Sequence, residues 1–298
     1  MGTPIYPNFL SLPPELSDPE RAGALILPLP LDITASWRRG TDDGPKAIIE
    51  ASHHIEYFDD EVGFDPAVAI GGIATQLEPE LPTDPKTATV AVEAIASNLL
   101  RDNRLLISLG GEHSLTYPLV KAHLKKWPEL CVLQIDAHAD LRESYADSPY
   151  NHACPMKRLM DLGVHVTALA IRSADESEAP LLDGNLRRTF PASELVGRVT
   201  ERLEEIIDSL PCENLYITID LDGLDPSVVP AVGTPVPGGL GWFETLEILK
   251  TAIREKNLVG ADVVELSPRE GLHYADSAAA RLVFKLIAYQ AVKRGRVE

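Results

Sequence analysis

The chain has 298 residues, 45% of them hydrophobic, which is enough to enclose a large core. Lys and Arg number 27 against 45 Asp and Glu, a formal charge of -18 that argues against a nucleic-acid backbone or an anionic membrane as partner and favours a cationic ligand. Three scattered cysteines, Cys131, Cys154 and Cys212, make neither a disulfide framework nor a CxxC metal site, so a reducing, cytoplasmic setting is expected.

The opening "MGTPIYPNFLSLPPELSDPE" is Pro-rich and acidic. It lacks the basic and apolar regions of a signal peptide and reads as an extension of about 20 residues. No later stretch approaches 18 uninterrupted apolar residues, so no membrane span is expected. A Val/Ile/Leu-rich strand is predicted at Ala24 to Pro30, followed by a helix at Pro45 to His54, a weaker strand at Val68 to Ile73 and a helix at Ala88 to Arg101. The alternation continues with strand Leu105 to Gly111, helix Leu115 to Trp127, strand Leu130 to Asp136, helix Pro155 to Leu162 and strand Val166 to Arg172. A weak strand at Thr189 to Ala192 precedes helix Ser193 to Leu210 and strand Asn214 to Asp222. Helix Phe243 to Lys256, strand Leu258 to Leu266 and helix Ser277 to Lys293 complete the chain. Strands that are apolar throughout, alternating with helices, imply right-handed crossovers and a mostly parallel sheet. The expectation is one α/β domain over residues 1–298, a three-layer α/β/α sandwich.

Acidic and imidazole side chains gather where four of these strands end. "LLISLGGEHS" ends in Glu112 and His113, "LCVLQIDAHAD" in Asp136, His138 and Asp140, "LYITIDLDGLDP" in Asp220, Asp222 and Asp225, and "GADVVELSP" in Glu265. In open α/β sheets ligands bind at such carboxyl ends. One Asp or His in a turn is ordinary, but this set would repel itself without cations. Residues four apart on a straight strand are roughly 13 Å apart, whereas metal–ligand bonds are about 2 Å. Asp136 and Asp140 can therefore share an ion only if extension stops near Asp136 and the chain bends. His113, Asp136, His138, Asp140, Asp220 and Asp222 are too many ligands for one structural zinc and suit two bridged ions. An oxygen-rich set without thiolate favours Mn(II).

"GGEHS", "DAHADLRESY", "YNHACPMKR", "TIDLDGLDP" and "VVELSP", with "RRGTDDGPKAIIEAS" before them, resemble in order and spacing the ureohydrolase family of arginases and agmatinases. That resemblance implies an eight-stranded arginase-like fold, trimeric or hexameric assembly and two Mn2+ per subunit. His113, Asp136, Asp140 and Asp220 would hold one ion; Asp136, His138, Asp220 and Asp222 would hold the other. It also implies hydrolysis of a small cationic guanidino substrate by a hydroxide that the dinuclear centre generates. His152 matches the acid or proton shuttle, Glu265 the carboxylate that pairs with the guanidinium, and Asp140 an acceptor from the hydroxide. The sequence departs from the pattern at Glu112, where many relatives carry Asp, and at Ala153–Cys154, where many carry Gly-Thr. Glu112 is expected to point away from the ions and Cys154 to pack. The interval "LRESYADSPYN" resembles agmatinases; Glu143 and Asp147 suit a substrate without negative charge, while Arg38 or Arg142 would suit a guanidino acid such as guanidinobutyrate. A non-catalytic polyamine- or partner-binding relative would have lost ligands, and a single-metal deacetylase would lack the doubled Asp/His pattern.

Overall fold

The computed structural model describes residues 8–101 and 103–295. Eight parallel strands form one sheet: β1 (Ala24–Leu29), β2 (Ile73–Thr75), β3 (Leu105–Gly110), β4 (Leu130–Ile135), β5 (Val166–Ile171), β6 (Arg187–Pro191), β7 (Asn214–Asp220) and β8 (Asn257–Val264). Their spatial order is β2-β1-β3-β8-β7-β4-β5-β6. Every residue of β1, β3, β4 and β5 is buried because the sheet is covered on both faces. Side chains alternate between two cores: Ile26, Ile107, Leu133 and Ile217 face one, and Leu27, Leu106, Val132 and Tyr216 the other. The first core is closed by α1 (Gly44–Ser52), α2 (Pro66–Ile70), α6 (Ala192–Leu195), α7 (Val199–Asp208), α8 (Trp242–Glu255) and α9 (His273–Lys293). The second is closed by α3 (Pro85–Leu99), α4 (Thr116–Leu124) and α5 (Pro155–Asp161). The three-layer α/β/α sandwich is the expected one.

Local chemistry shifts several expected boundaries. The weak strand at Val68 to Ile73 is largely helix α2, with β2 beginning only at Ile73. The Asp65 carboxylate caps it by accepting from the N–H groups of Ala67 and Val68, and Pro66 starts the first turn. Gly71 and Gly72, at φ 87° and 101°, then turn the chain into β2. The single helix expected over Ser193 to Leu210 is broken into α6 and α7 by extended Val196 and by Gly197 at φ 78°, whose N–H donates to Glu244 Oε1 at 2.6 Å. β7 stops at Asp220, leaving Asp222 in a short 3-10 turn.

Residues 1–7 of the expected extension lie outside the described residues. Phe9 and Leu10 are buried in the first core, their N–H groups donating to Thr75 Oγ1 (2.9 Å) and Ser52 Oγ (2.8 Å). Two buried polar features brace the far side of the sheet and its flank. The His123 ring stacks on Trp127, and a Cβ at Gly260 would lie 2.2 Å from its Nε2. Lys285, buried on α9, pairs with Asp59 (2.7 Å) and Glu61 (2.9 Å). Among the described residues, no helix is long and apolar enough to cross a membrane.

Candidate metal centre and active site

The four strands that carry the candidate ligands are neighbours in the sheet, in the order β3-β8-β7-β4. Their carboxyl ends open into a cavity of about 260 Å³ whose walls include His113, His138, Asp140, His152, Asp220, Asp222 and Glu265. Two glycines let the segments approach. A Cβ on Gly111 would sit 2.0 Å from the Leu31 carbonyl oxygen, and one on Gly223 would sit 2.6 Å from the Asp136 nitrogen.

β4 ends at Ile135, and the bend required by bond lengths is present: Asp140 adopts φ 54° and returns its carboxylate toward Asp136. His113 Nδ1 lies 2.9 Å from Asp140 Oδ2, 3.1 Å from Asp136 Oδ2 and 3.3 Å from Asp220 Oδ2. His138 Nδ1 lies 2.9 Å from Asp222 Oδ2 and 3.8 Å from Asp136 Oδ1. Ligand atoms of His113, Asp136 and Asp140 lie within 4.8 Å of one another, as do those of Asp136, His138 and Asp222, so Asp136 is common to both groups.

Backbone and side-chain donors hold these carboxylates. Asp136 accepts from Gln134 Nε2 (2.8 Å) and the His138 N–H (2.6 Å); Asp222 accepts from the Ala137 N–H (3.0 Å) and Thr234 Oγ1 (3.2 Å). Behind His113 lies a buried polar chain. Its Nε2 is 3.0 Å from Thr218 Oγ1, and that hydroxyl donates to Asp262 Oδ1 at 2.6 Å. Tyr216 and Thr116 also donate to Asp262, at 2.9 and 3.0 Å. With the Thr218 proton directed to Asp262, His113 donates through Nε2–H, and the Nδ1 lone pair faces three carboxylates. In that neutral ring Nδ1 has no proton to give to the three carboxylates within 3.3 Å, an arrangement that a cation between them satisfies.

The charges packed around these side chains point the same way. Burial would lower the His113 and His138 imidazoles, but the adjoining carboxylates draw His113 well above the ordinary range and His138 to about 10. Burial and the neighbouring Asp136 push Asp140 up to about 6, and burial with Asp222 and Asp136 raises Asp220 well above its ordinary value. Burial, then Asp222 and Glu112, lift Glu265 to about 8 against the His113 N–H. A site this short of positive charge, with hard oxygens, two imidazoles and no thiolate, fits two divalent cations.

Glu265 follows β8 at φ 67° and accepts from the His113 N–H at 2.7 Å through Oε1. His152 stands across the cavity, its ring edge-on to Tyr145 at 5.9 Å. Burial holds its imidazole down, at about 4. Cys154 is buried under the loop and packs, as expected. Glu112 also points away from the cluster, and has a task that its position alone did not disclose. Its Oε2 accepts from the N–H groups of Ile33 (2.7 Å) and Thr34 (2.6 Å), and its Oε1 accepts from Thr34 Oγ1 (2.7 Å) and Ser114 Oγ (2.6 Å). Thr34 Oγ1 in turn lies 3.1 Å from His152 Nδ1 and accepts from the His152 N–H at 3.0 Å.

At the mouth the arrangement differs from the expected one. Glu143 turns outward to Arg158 (2.8 Å) and Lys157 (3.0 Å), and neither it nor Asp147 lines the cavity. The acidic groups there are Glu178, which accepts from the N–H groups of Leu141 and Asp175, and Asp175, 3.2 Å from Arg142, whose guanidinium lies over Tyr145. Arg38 also lines the mouth, over the Trp37 ring at 4.6 Å. Thr34, Thr218, Asp262 and Asp175 belong to no cluster that stands out in the sequence. Thr218 and Asp262 left one signal, as polar residues inside otherwise apolar strands.

A sequence model of the arginase family matches residues 22–289. An N(1)-aminopropylagmatine ureohydrolase of Thermus thermophilus is 37% identical over 276 residues, 93% of either chain. The agmatinase of Pyrococcus horikoshii is 34% identical, covering 92% of this chain and 94% of its own. Among solved structures, the agmatine ureohydrolase of Thermoplasma volcanium superposes with a TM-score of 0.84 at 30% identity, over 95% of both chains. The chain belongs to the arginase family. Within it, the similarity is to ureohydrolases of the agmatinase kind, hydrolases of guanidino C–N bonds.

Proposed function

We propose that this chain is a metal-dependent guanidino hydrolase that releases urea from agmatine, leaving putrescine. The observation that carries the reading is the pair of ligand groups sharing Asp136, set beside Glu265 at the floor of one cavity. His113, Asp136, Asp140 and Asp220 would hold one divalent ion and Asp136, His138, Asp220 and Asp222 the other, Mn2+ in each case. The ions would supply hydroxide near neutral pH by lowering the pKa of water.

The chain's own groups do the rest. Glu265 pairs with the substrate guanidinium and places its carbon over the cluster. Asp140 accepts a hydrogen bond from the nucleophile. His152, neutral at rest, receives a proton and returns it to the departing amine, which leaves only when protonated. Water adds across one C–N bond, and nothing is oxidised or reduced. The substrate is a small guanidino cation and the enzyme works as a cytoplasmic homotrimer or homohexamer of single-domain subunits.

Two relations bear on the tail of the substrate. The relatives named for N(1)-aminopropylagmatine favour an amine longer than agmatine, with Asp175 at the mouth as its acidic contact. Arg38 and Arg142, on the same rim, favour a guanidino acid. The test is urea release by the Mn-loaded protein from agmatine, N(1)-aminopropylagmatine, guanidinobutyrate and arginine side by side. Agmatine is expected to give the highest kcat/KM. Preference for another tail would replace the substrate and keep the chemistry, and no urea from any of them would remove the enzyme reading. His152→Ala is expected to keep both ions and lose about 100-fold or more in kcat.

A further inference from the structure

We propose that Glu112 and Thr34 are positioning residues that hold His152 as its Nδ1–H tautomer, leaving Nε2 as the ring's open proton-accepting position. The inference rests on the reading of His152 as the group that carries the proton to the departing amine.

The protons along this chain of hydrogen bonds can be placed one by one. A carboxylate offers about four acceptor sites. At Glu112 four donors fill them: the N–H groups of Ile33 and Thr34 and the hydroxyls of Thr34 and Ser114, all within 2.7 Å. The two backbone N–H donors on Oε2 cannot reverse, and Oε1 is left to accept from the hydroxyls of Thr34 and Ser114. Thr34 has one hydroxyl proton, and it is directed to Glu112 Oε1. Toward His152 the Thr34 oxygen is therefore only an acceptor. It takes the His152 backbone N–H at 3.0 Å, and the ring contact at 3.1 Å must be Nδ1–H donating to Oγ1. Two donors from one residue on one oxygen fix both the loop and the ring plane.

The anchoring reaches across the chain. Glu112 directly precedes the ligand His113, whereas Thr34 lies 78 residues earlier and His152 118 residues after Thr34. The same carboxylate thus ties the backbone beside the metal cluster to the loop that orients the shuttle. Gly111 makes the approach possible, since no Cβ could stand against the Leu31 carbonyl. Glu is long enough to reach both the loop's N–H groups and its hydroxyl.

The experiment is solid-state NMR of protein containing 13C,15N-histidine and loaded with diamagnetic Zn2+, with His152 assigned by difference from His152→Gln. The wild type is expected to show Nδ1 protonated and Nε2 bare. Thr34→Val removes the acceptor and is expected to release that tautomer while lowering kcat about 10- to 100-fold with metal content unchanged; Thr34→Ser is expected to restore both. Glu112→Gln should act like Thr34→Val, because its NH2 must face the two hydroxyls, donating to Thr34 Oγ1 and freeing that hydroxyl's proton for His152 Nδ1. An Nε2–H tautomer in the wild type overturns the proposal. So does an unaltered tautomer together with unaltered kcat in Thr34→Val, and the wild-type spectrum decides even where a variant does not fold. Absence of urea release by the wild type would instead count against the proposed function, because the tautomer is read without turnover.

Discussion

The backbone N–H of His113 donates to Oε1 of Glu265 at 2.7 Å, so the loop after β3 and the residue after β8 are joined directly across the floor of the cavity. One carboxylate oxygen is thereby spent on the scaffold and the other is left for a cation. Glu265→Gln keeps a carbonyl to accept from His113 and removes the charge. We expect an intact fold with a loss of about 10- to 100-fold in kcat/KM, since a charge-assisted hydrogen bond contributes roughly 1.5–3 kcal/mol. Kinetics with a thermal melt check this. A large drop in melting temperature would show instead that Glu265 is structural.

Because Asp136 belongs to both ligand groups, its removal should differ in kind from removal of a terminal ligand. Equilibrium dialysis followed by metal analysis should give two ions for the wild type, about one for His138→Ala and none tightly held for Asp136→Asn. Asp220→Ala should likewise abolish stoichiometric binding. Two tightly held ions in Asp136→Asn would refute the shared role.

His123 gives a stability prediction with a definite sign. Burial lowers its imidazole from the ordinary 6.5 to about 4, so between these values the unfolded chain binds the additional proton. Stability is then complete above pH 6.5 and is lost as pH falls toward 4. Denaturant titrations of the wild type and His123→Leu should show a shallower acid slope in the variant over that window. Gly260→Ala forces a methyl onto the same ring and is expected to cost about 1–3 kcal/mol by overpacking.

The pair formed by buried Lys285 on α9 and buried Asp59 should be sensitive to truncation. Lys285→Ala leaves Asp59 without its cation in a buried site and is expected to lose about 3–5 kcal/mol. Burial raises Glu61, but its bonds to Lys250, Lys285 and Tyr289 win and hold it at about 2. Its contribution is complete above pH 4.5 and disappears as pH falls toward 2. Urea unfolding at pH 7 and pH 3 should show a smaller difference for Lys285→Ala than for the wild type.

How far the sequence discloses this molecule depends on the distance over which each interaction acts. The central strands are legible because both of their faces are buried, which leaves an uninterrupted apolar run such as "CVLQI". The carboxylates and imidazoles at their ends are legible because "DAHAD" and "DLDGLD" concentrate them within a few residues. Val68 misleads because it is apolar in composition while the deciding signal, an Asp-Pro cap, lies just upstream. The break at Gly197 depends on a partner 47 residues away, Glu244. Thr34 carries no local mark at all, since its meaning depends on Glu112 and His152 converging on it in three dimensions. Glu143 and Asp147 look like cavity residues by proximity in sequence, but Glu143 is drawn outward by Lys157 and Arg158, and Asp147 sits in a turn with φ 48° at Ala146 and 60° at Asp147.

The strand order also governs when the site can come into existence. β3 and β4 are made early and never touch; β7 and β8, made last, insert between them. A nascent chain that ends before residue 214 therefore holds two half-sheets with facing unpaired edges and only part of the ligand set, a state prone to mispairing. Completion of the last third closes the sheet and assembles the catalytic floor in the same event, so a shortened product has no partly functional form.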